Sequence, residues 1–539
     1  MEFRAIGGPE SSKLMRDYIA GKETIAPFFE YDFQDQKAYQ ERLVHLSERS
    51  FKRDELVQYL LSFNKKYEAP QKVIDNIRRL QADDAVVVIG GQQAGLLTGP
   101  AYTIHKCLTI VQFARKQEAE LGVPVIPVFW IAGEDHDFDE VNHVYVYDNG
   151  TIRKRALRSS KAGQIPVSDL KIDHDKLCQW VEDIFQAFGE TAHTEHLLAE
   201  TLAFARCSQT LVDFFARLIH RWFGKYGLVL LDSGDPALRR LESDYFTLQI
   251  ENSEAIAAGV VKQLKTLEEK GYSVALDQRP TSANLFYLGQ SERILLDRGD
   301  NDTFNGRDLS LTKASLLQTA ACHPERLSNN VVTRPLMQEL LFPTLAFIAG
   351  PGEIAYWSAL KQAFRAMGTV MPPVVPRIRL TLMDNRTKRW VDGKRLSLEQ
   401  TLGEGLEAAK NMWLDAQHNW DVQTVYETVK QKIDQAYEPL KQLAEGIDDS
   451  LGRLSLKNKQ FIEKQLCYMH KAIERRIREK YETELKKFDR IQAALSPDGQ
   501  PQERIWNIYY FINYWGSDFI DALIALEFPF DGHPVIVEI

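Results

Sequence analysis

Five short apolar runs, each bounded by turn residues, constrain the fold of this chain more than any other feature. Amphipathic stretches lie near many of these runs. Buried parallel strands have this composition because helices cover both faces of a parallel sheet. The predicted strands are Val86–Ile89, Val125–Ile131, Val229–Leu231, Leu345–Ala349 and Val370–Val375, and the predicted helices include Tyr102–Leu121, Ala237–Ala258 and Glu353–Met367. The pattern predicts an α/β protein with a doubly wound, Rossmann-like parallel sheet.

The predicted strands are unevenly spaced along the chain. Long intervals separate the second strand from the third and the third from the fourth. The first interval holds a predicted strand, His143–Tyr147, and a helical stretch, Leu177–Lys225; the second holds short predicted strands at Tyr272–Leu276, Leu285–Leu288 and Ile294–Leu296. We interpret both as insertions into the core, at about residues 142–225 and 260–320.

The chain changes character between about Leu396 and Leu495, where apolar residues recur at steps of three and four among charged residues. One set comprises Val425, Val429, Ile433, Tyr437, Leu440, Leu443, Ile447 and Leu451, and the other comprises Ile462, Leu466, Met469, Ile473, Ile477, Tyr481, Leu485, Phe488 and Ile491. This periodicity predicts an antiparallel α-helical coiled coil, with Pro439 kinking the first helix and Gly452 near the turn. A hairpin closed on itself and a homodimer through the apolar stripe both explain it.

The segment after the helices is aromatic, at Ile505–Trp515, and ends in a strand-like run, Pro534–Ile539. We therefore expect a core at residues 1–384, a helical coiled-coil domain at 385–502 and a return to the core at 503–539. An antiparallel hairpin brings its two ends together, which makes this return geometrically simple.

The composition narrows the class of protein. The formal charge is −9 and the pI about 5.8, which argues against a nucleic-acid-binding protein. No apolar run reaches the roughly 18 residues of a membrane span, and the N-terminus lacks the order of a signal peptide. The five cysteines are scattered. We expect a cytoplasmic protein with free thiols and no membrane partner.

A glycine-rich segment, Gly90–Lys106, follows the first predicted strand. Backbone amides at the start of a helix favour anions, and glycines permit close approach of a ligand to the backbone. A tight turn with a helix cap would explain the glycines alone, but the paired glutamines and the adjacent histidine and lysine favour a functional loop. The candidate substrate-binding residues are Gly91, Gln92, Gln93, Thr98, Tyr102 and His105, and the candidate catalytic residue is Lys106.

An acidic loop, Trp130–His143, follows the second predicted strand and lies at the same edge of the predicted sheet. Crowded carboxylates are costly to desolvate unless cations or hydrogen-bond donors compensate them. A metal, a substrate ammonium or a general base would each explain the cluster, and so would a solvated acidic turn. Glu134, Asp135 and His136 are the candidate catalytic residues.

A third glycine turn, in Leu345–Trp357, also joins a strand to a helix. Glu353 lies at the start of this helix, where capping alone also accounts for a carboxylate. Upstream, Arg334 can bind a carboxylate in bidentate fashion. We take both as candidate substrate-binding residues.

A second candidate site is predicted where the helical hairpin leaves and rejoins the core. An aromatic ring, arginines and short polar side chains would suit a nucleotide there. Interface packing, helix capping and a hairpin turn explain the same residues. The candidates are Asn149, Asp384, Asn385, Arg386, Arg490 and Trp506.

Four motifs in order, GQQAGLLTGPAYTIHK, PVFWIAGEDHDFDEVNH, TRPLMQE and IAGPGEIAYW, followed by the coiled-coil region, resemble the BshC family of bacillithiol biosynthesis. The resemblance covers essentially the whole chain. It implies a Rossmann-like core with connecting-peptide insertions and a coiled-coil dimerisation domain. It also implies a ligase that joins L-cysteine by an amide bond to the amino group of glucosaminyl-malate, the last step of bacillithiol assembly.

The resemblance implies a chemistry for the candidate residues. ATP would activate the cysteine carboxylate, Mg²⁺ is a possible metal, and the glycine-rich segment, His105 and Lys106 would hold the phosphates. Glu134 or Asp135 would bind the cysteine ammonium, His136 would take a proton from the attacking amine, and Arg334 would hold the malate carboxylates. The HxGH and KMSKS-like signatures of similar class I ligases are missing here, which leaves the route of activation open.

Two further interpretations stay open at the level of sequence. The chain could be a metal-dependent hydrolase that uses the acidic Glu134–Asp137 stretch. It could also be a non-catalytic scaffold that binds ADP or ATP at the root of the helical hairpin. Metal content and nucleotide binding distinguish these classes from a ligase.

Overall fold

The computed structural model describes residues 1–6, 12–148, 150–158, 165–289 and 292–539. The chain forms two compact units. The core unit comprises Met1–Met383 and Gln500–Ile539, and the helical unit comprises Asp384–Gly499.

Strands and helices are numbered in chain order. The strands are β1 Glu2–Ala5, β2 Val86–Gln92, β3 Val125–Ile131, β4 His143–Asp148, β5 Thr151–Ala156, β6 Val229–Asp232, β7 Ser282–Leu288, β8 Arg293–Arg298, β9 Thr303–Gly306, β10 Leu309–Thr312, β11 Leu327–Asn329, β12 Thr344–Ala349, β13 Val374–Pro376, β14 Arg379–Met383 and β15 Pro534–Glu538. All of them belong to the core unit.

The helices of the core unit cover its sheets. They are α1 Lys13–Ile19, α2 Gln36–Ser47, α3 Arg53–Lys66, α4 Gln71–Arg79, α5 Tyr102–Leu121, α6 Phe138–Val141, α7 His174–Phe188, α8 Thr194–Cys207, α9 Leu211–Phe223, α10 Pro236–Leu241, α11 Ser243–Glu251, α12 Ser253–Glu269, α13 Lys313–Cys322, α14 Thr333–Leu341, α15 Pro351–Trp357 and α16 Lys361–Ala366. The helical unit contains α17 Asn385–Gly393, α18 Leu398–Gly403, α19 Glu407–Asp415, α20 Val422–Ile447, α21 Asp449–Lys480 and α22 Glu482–Leu495. The core unit ends with α23 Gln502–Ile505, α24 Ile508–Trp515 and α25 Phe519–Ile524.

The central sheet is parallel, with the order β13-β12-β2-β3-β6 in the described residues. This order confirms the predicted doubly wound, Rossmann-like core. The strand order reverses between β2 and β12, and ligands of such sheets bind at the carboxyl ends of the strands beside this reversal. The fifth strand is shorter than predicted, since only Val374–Pro376 pairs with β12.

The first strand is longer than predicted because Gly90 and Gly91 continue it. A Cβ atom on Gly90 would lie 3.0 Å from the Ile348 carbonyl oxygen, and one on Gly91 would lie 2.6 Å from the Trp130 carbonyl oxygen. These two glycines therefore allow close packing within the sheet. The turn that follows begins only at Gln93.

Two insertions separate the central strands. Between β3 and β6 lie the hairpin β4–β5 and helices α7 to α9; between β6 and β12 lie α10 to α12, an antiparallel sheet of order β10-β9-β8-β7-β11, and α13. The predicted strand at Tyr272–Leu276 is wrong, because this segment pairs with no strand. The Tyr272 side chain is buried, and its hydroxyl donates to Asp17 at 2.9 Å. The apolar character of this segment therefore reflects side-chain packing.

A small sheet of order β1-β15-β14 joins the two ends of the core unit. Strand β15 pairs antiparallel with β1 and parallel with β14. The chain returns to the core through this strand, as the apolar run near the C-terminus predicts. The sequence analysis did not predict β1.

The helical unit contains the predicted antiparallel pair. The Tyr437 hydroxyl donates to the Ser455 carbonyl at 3.0 Å, and Lys459 pairs with Asp434 at 2.7 Å, so α20 and α21 run in opposite directions. The turn lies at Asp448, helix α20 continues through Pro439, and Gly452 belongs to the start of α21. No helix in the described ranges is both long and apolar enough to cross a membrane.

Candidate active site

A cavity of about 780 Å³ lies in the core unit, at the carboxyl ends of the central strands. Polar residues come from the turns after β2, β3 and β12, and from the β7–β11 insertion. The lining side chains and glycines used below are Gly91, Gln92, Gln93, Tyr102, Lys106, Trp130, Asp135, Glu140, Asp277, Phe286, Arg293, Arg334, Glu353, Tyr356, Arg377 and Arg504. The cavity therefore occupies the place that the strand order predicts.

Lys106 links the two central strands beside the reversal. Its ammonium group donates to the Gly91 carbonyl at 2.7 Å, to Gln92 Oε1 at 3.2 Å and to Glu353 Oε2 at 2.5 Å. Burial lowers the pKa of Lys106, and the Glu353 carboxylate opposes that effect. Because three acceptors surround the ammonium, Lys106 is suited to act as a fixed positive charge.

Glu353 has two roles in this arrangement. Its Oε2 accepts the Gly350 backbone N–H at 2.7 Å, which caps helix α15, and it also accepts the Lys106 ammonium. The capping interpretation of Glu353 is therefore correct, and the same carboxylate lines the cavity. Gln93 lies nearby and donates to Glu140 Oε2 at 2.7 Å.

His105 points away from the cavity, because the next residue of the helix takes the position on the cavity face. Its Nδ1 lies 2.9 Å from Glu503 Oε2, and its side chain is buried. Burial lowers the pKa of His105, so the ring is neutral near pH 7 and Nδ1–H donates to Glu503. Glu503 also receives two bonds of 2.6 Å from Arg377, whose guanidinium lies 5.6 Å from the centroid of the Tyr102 ring.

The middle of the glycine-rich segment is strained. Leu97, Thr98 and Gly99 all have positive φ, at 48°, 72° and 75°. For leucine and threonine this conformation is unfavourable, and neighbouring structure must hold it. Asn507 does so by donating to the Leu97 and Gly99 carbonyls at 2.8 and 2.6 Å. Thr98 is buried outside the cavity wall.

Glu134 is buried in a shell of donors behind the cavity. Its oxygens accept Arg239 at 2.6 Å, Arg334 at 3.1 Å and the Asn329 backbone N–H at 3.0 Å. Burial alone would raise the pKa of Glu134, but the guanidinium groups of Arg239, Arg334 and Arg293 outweigh it and lower the pKa to about 2. This carboxylate is positioned to hold arginines rather than a ligand.

Asp135 is the acidic residue of this loop that faces the cavity. Its Oδ1 accepts Arg334 at 2.8 Å and Arg293 at 3.3 Å. His136 lies behind it, with Nδ1 3.3 Å from the same Arg293 nitrogen. Burial and the nearby Arg293 charge lower the pKa of His136. Neither Glu134 nor His136 is among the residues that line the cavity.

The sequence analysis missed several charged residues of the cavity. Arg293 comes from the β7–β11 insertion, where it lies 3.8 Å from the Phe286 ring centroid, and Arg377 follows β13. Arg504 in the cavity wall comes from the C-terminal return, and so does its buried neighbour Glu503, which binds Arg377. Their positions in the sequence carry no motif, and the one available signal was the prediction that the chain returns to the core after the helices.

The cavity combines charges of both signs. Cations come from Lys106, Arg293, Arg334, Arg377 and Arg504, and anions from Asp135, Glu140, Asp277 and Glu353. Such a wall can hold an amino acid or another zwitterionic ligand by its ammonium and carboxylate. Within the described ranges, no three His, Cys, Asp or Glu side chains gather as a metal site would require.

The residues of the predicted nucleotide site are divided between the two units. Asp384 caps α17 through the Thr387 N–H at 2.7 Å, Asn385 and Arg386 begin that helix, and Arg490 lies in α22. Trp506 is buried in the core unit, and Asn149 lies outside the described residues. The nucleotide site stays a prediction.

Comparison with known proteins matches both parts of the chain. Residues 1–378 match the model described as "Bacillithiol biosynthesis BshC, N-terminal Rossmann-like domain", and residues 380–539 match "Bacillithiol biosynthesis BshC, C-terminal coiled-coil domain". Proteins named "Putative cysteine ligase BshC" are similar over the full length. Those of Geobacillus sp. WCH70 and Bacillus licheniformis are each 40% identical, covering 100% of both chains. That of Halalkalibacterium halodurans is 42% identical, covering 96% of both. The chain belongs to the BshC family.

Proposed function

We propose that this protein is a ligase that joins L-cysteine to the amino group of glucosaminyl-malate by an amide bond in bacillithiol biosynthesis. Membership of the BshC family over the full length carries this proposal. The cavity supports it, since both substrates bear carboxylates and amines and the wall presents charges of both signs.

Asp135 is suited to bind the cysteine ammonium. In the described part of the chain, Arg334 and Arg293 both contact Oδ1, which leaves Oδ2 for an incoming ammonium. The two guanidinium groups hold the Asp135 carboxylate in place. Glu134, buried behind them, would position Arg334 rather than touch the substrate.

Amide formation from a free carboxylate is unfavourable in water, so the cysteine carboxylate requires activation. We assign that activation to ATP as a co-substrate, with magnesium as the expected companion of its phosphates. The attacking amine forms the C–N bond, releases a proton and displaces the activating group. Glu140 and Glu353 are carboxylates in the cavity wall that can accept that proton.

We also propose that two copies of the chain associate through the helical unit. Large apolar side chains along α20 and α21 are exposed, including Leu443 and Ile447 at 62% and 63% and Leu454 at 60%. Removing such a stripe from water favours association, and a second copy of the same antiparallel pair presents a matching stripe.

The proposed reaction can be tested directly with the purified protein. It is incubated with L-cysteine and glucosaminyl-malate, with and without ATP and magnesium, and the condensed thiol is measured by mass. We expect the product only when ATP and magnesium are present. Product formed without ATP would refute nucleotide activation, and no product from folded protein under either condition would refute the ligase proposal.

A further inference from the structure

Five cationic side chains line the cavity, and four of them have an acidic partner. The pairs are Lys106 with Glu353, Arg293 with Asp135, Arg334 with Glu134 and Asp135, and Arg377 with Glu503. The fifth is Arg504, whose guanidinium pairs with no acidic group among the residues that the structure describes. Arg504 is also exposed, which places it where the cavity opens to solvent.

The backbone around Arg504 is held rigidly. Gln502 exchanges two bonds of 2.7 Å with the backbone N–H and carbonyl of Leu382. Glu503 is buried against Arg377, as described above, and Asn507 donates to two carbonyls of the glycine-rich segment. The side chains on both sides of Arg504 are thus fixed in the interior, and Arg504 alone is directed to the cavity. A rigid support of this kind is what a binding side chain needs.

The neighbours of Arg504 indicate the sign and class of its ligand. Burial raises the pKa of the Tyr102 hydroxyl, the charges of Arg377 and Arg504 lower it, and the more weakly felt charges of Glu140 and Glu353 raise it. A free guanidinium beside a second cation attracts an anion, and a planar carboxylate matches its paired donors. The larger of the two substrates carries carboxylates on its malate part, which is attached to the sugar carbon next to the one that bears the reacting amine.

We propose that Arg504 binds a malate carboxylate of glucosaminyl-malate at the mouth of the cavity. The C-terminal return therefore supplies a specificity residue for the acceptor substrate, while Asp135 binds the cysteine ammonium. Arg504 takes the malate-binding role expected of Arg334, because Arg334 is already paired with Glu134 and Asp135. This inference rests on the proposed function for the identity of the acceptor. Independently of that identity, we infer that Arg504 binds a carboxylate.

Equilibrium binding to the purified full-length protein tests the inference without turnover. Calorimetric titration with glucosaminyl-malate is compared with methyl glucosaminide, which has no malate. Arg504→Ala should weaken glucosaminyl-malate binding about 10- to 100-fold, the range for losing a charge-assisted contact. Arg504→Lys should lose less, and methyl glucosaminide binding should not change. Arg206→Ala is the matched control, since Arg206 is an exposed arginine of α8 outside the cavity.

The outcomes separate this inference from the ligase proposal. Equal binding of glucosaminyl-malate by wild type and Arg504→Ala would overturn the inference even if both form product. Weakened binding in Arg504→Ala, with no product from either protein, would support the carboxylate subsite and refute the ligase. A loss shared equally by methyl glucosaminide would also overturn it, because the malate would then play no part.

Discussion

Lys106 Nζ lies 2.5 Å from Glu353 Oε2, and this contact joins the helix after the first central strand to the helix after the fourth. The ion pair therefore spans the point at which the strand order reverses. Lys106 is 1% exposed and Glu353 22% exposed, so solvent screens the pair only in part.

Breaking this pair should destabilise the core unit. Lys106→Met leaves the Glu353 carboxylate without its cation, and we expect a loss of about 3 kcal/mol in the free energy of unfolding. Lys106→Met combined with Glu353→Gln should lose less than the sum of the single changes, because neither charge remains unpaired. Urea unfolding of the four proteins measures this coupling, and strict additivity would contradict it.

Glu134 and Asp135 are adjacent but should respond differently to substitution. Glu134→Gln removes one of the two buried carboxylates that pair with Arg239, and also the partner of Arg334, and should cost about 3 kcal/mol of stability. Asp135→Asn should change the unfolding midpoint less than Glu134→Gln does. It should raise KM for cysteine at least about 10-fold, which corresponds to the loss of one charge-assisted hydrogen bond. Denaturant unfolding and product formation at varied cysteine concentration are compared for both variants. The reverse pattern would show that Glu134 contacts the substrate.

His220 should make the stability of the core unit depend on pH. This buried histidine has no hydrogen-bond partner at either ring nitrogen within the described residues, and burial lowers its pKa from 6.5 to about 3. The unfolded chain takes up its proton below about pH 6.5, so the folded state loses stability as pH falls from that value toward 3.

His220→Phe should remove this dependence of stability on pH. Compared with wild type, the variant should gain about 2 kcal/mol in free energy of unfolding between pH 8 and pH 5, since one pKa unit corresponds to about 1.4 kcal/mol. Urea unfolding of both proteins at pH 8 and at pH 5 measures the free energies of unfolding. The contributions of other titrating groups cancel when the wild-type change is subtracted from that of the variant. A difference that does not change with pH would contradict the prediction.

Because the apolar stripe of the helical unit is exposed, we expect that charged residues introduced into it prevent two copies of the chain from associating. Leu443→Glu with Leu454→Glu should convert a dimer into a monomer, measured by light scattering after size-exclusion chromatography, because charges would be buried at the contact. Val44→Glu is the matched control, as Val44 is 59% exposed in the core unit. Helix content by circular dichroism should stay the same in all three proteins. A dimer that survives the double substitution would refute association through this stripe.

The sequence by itself determined the class of fold, because strand and helix periodicities are local properties of the chain. Five central strands and the antiparallel helical pair follow from apolar spacing, and the motifs identified the family. Asp135 and Lys106 also follow predicted strands at the edge where parallel sheets bind ligands. Their place in the cavity wall was therefore predictable.

Only the tertiary structure decided which neighbours in sequence face the cavity. Lys106 lines it while His105 turns to Glu503, and Asp135 lines it while Glu134 is buried among arginines. Arg377, Glu503 and Arg504 join the site from segments far along the chain. The physical reason is that a side chain's direction and its charge partners depend on long-range packing, which the periodicity of a sequence does not encode.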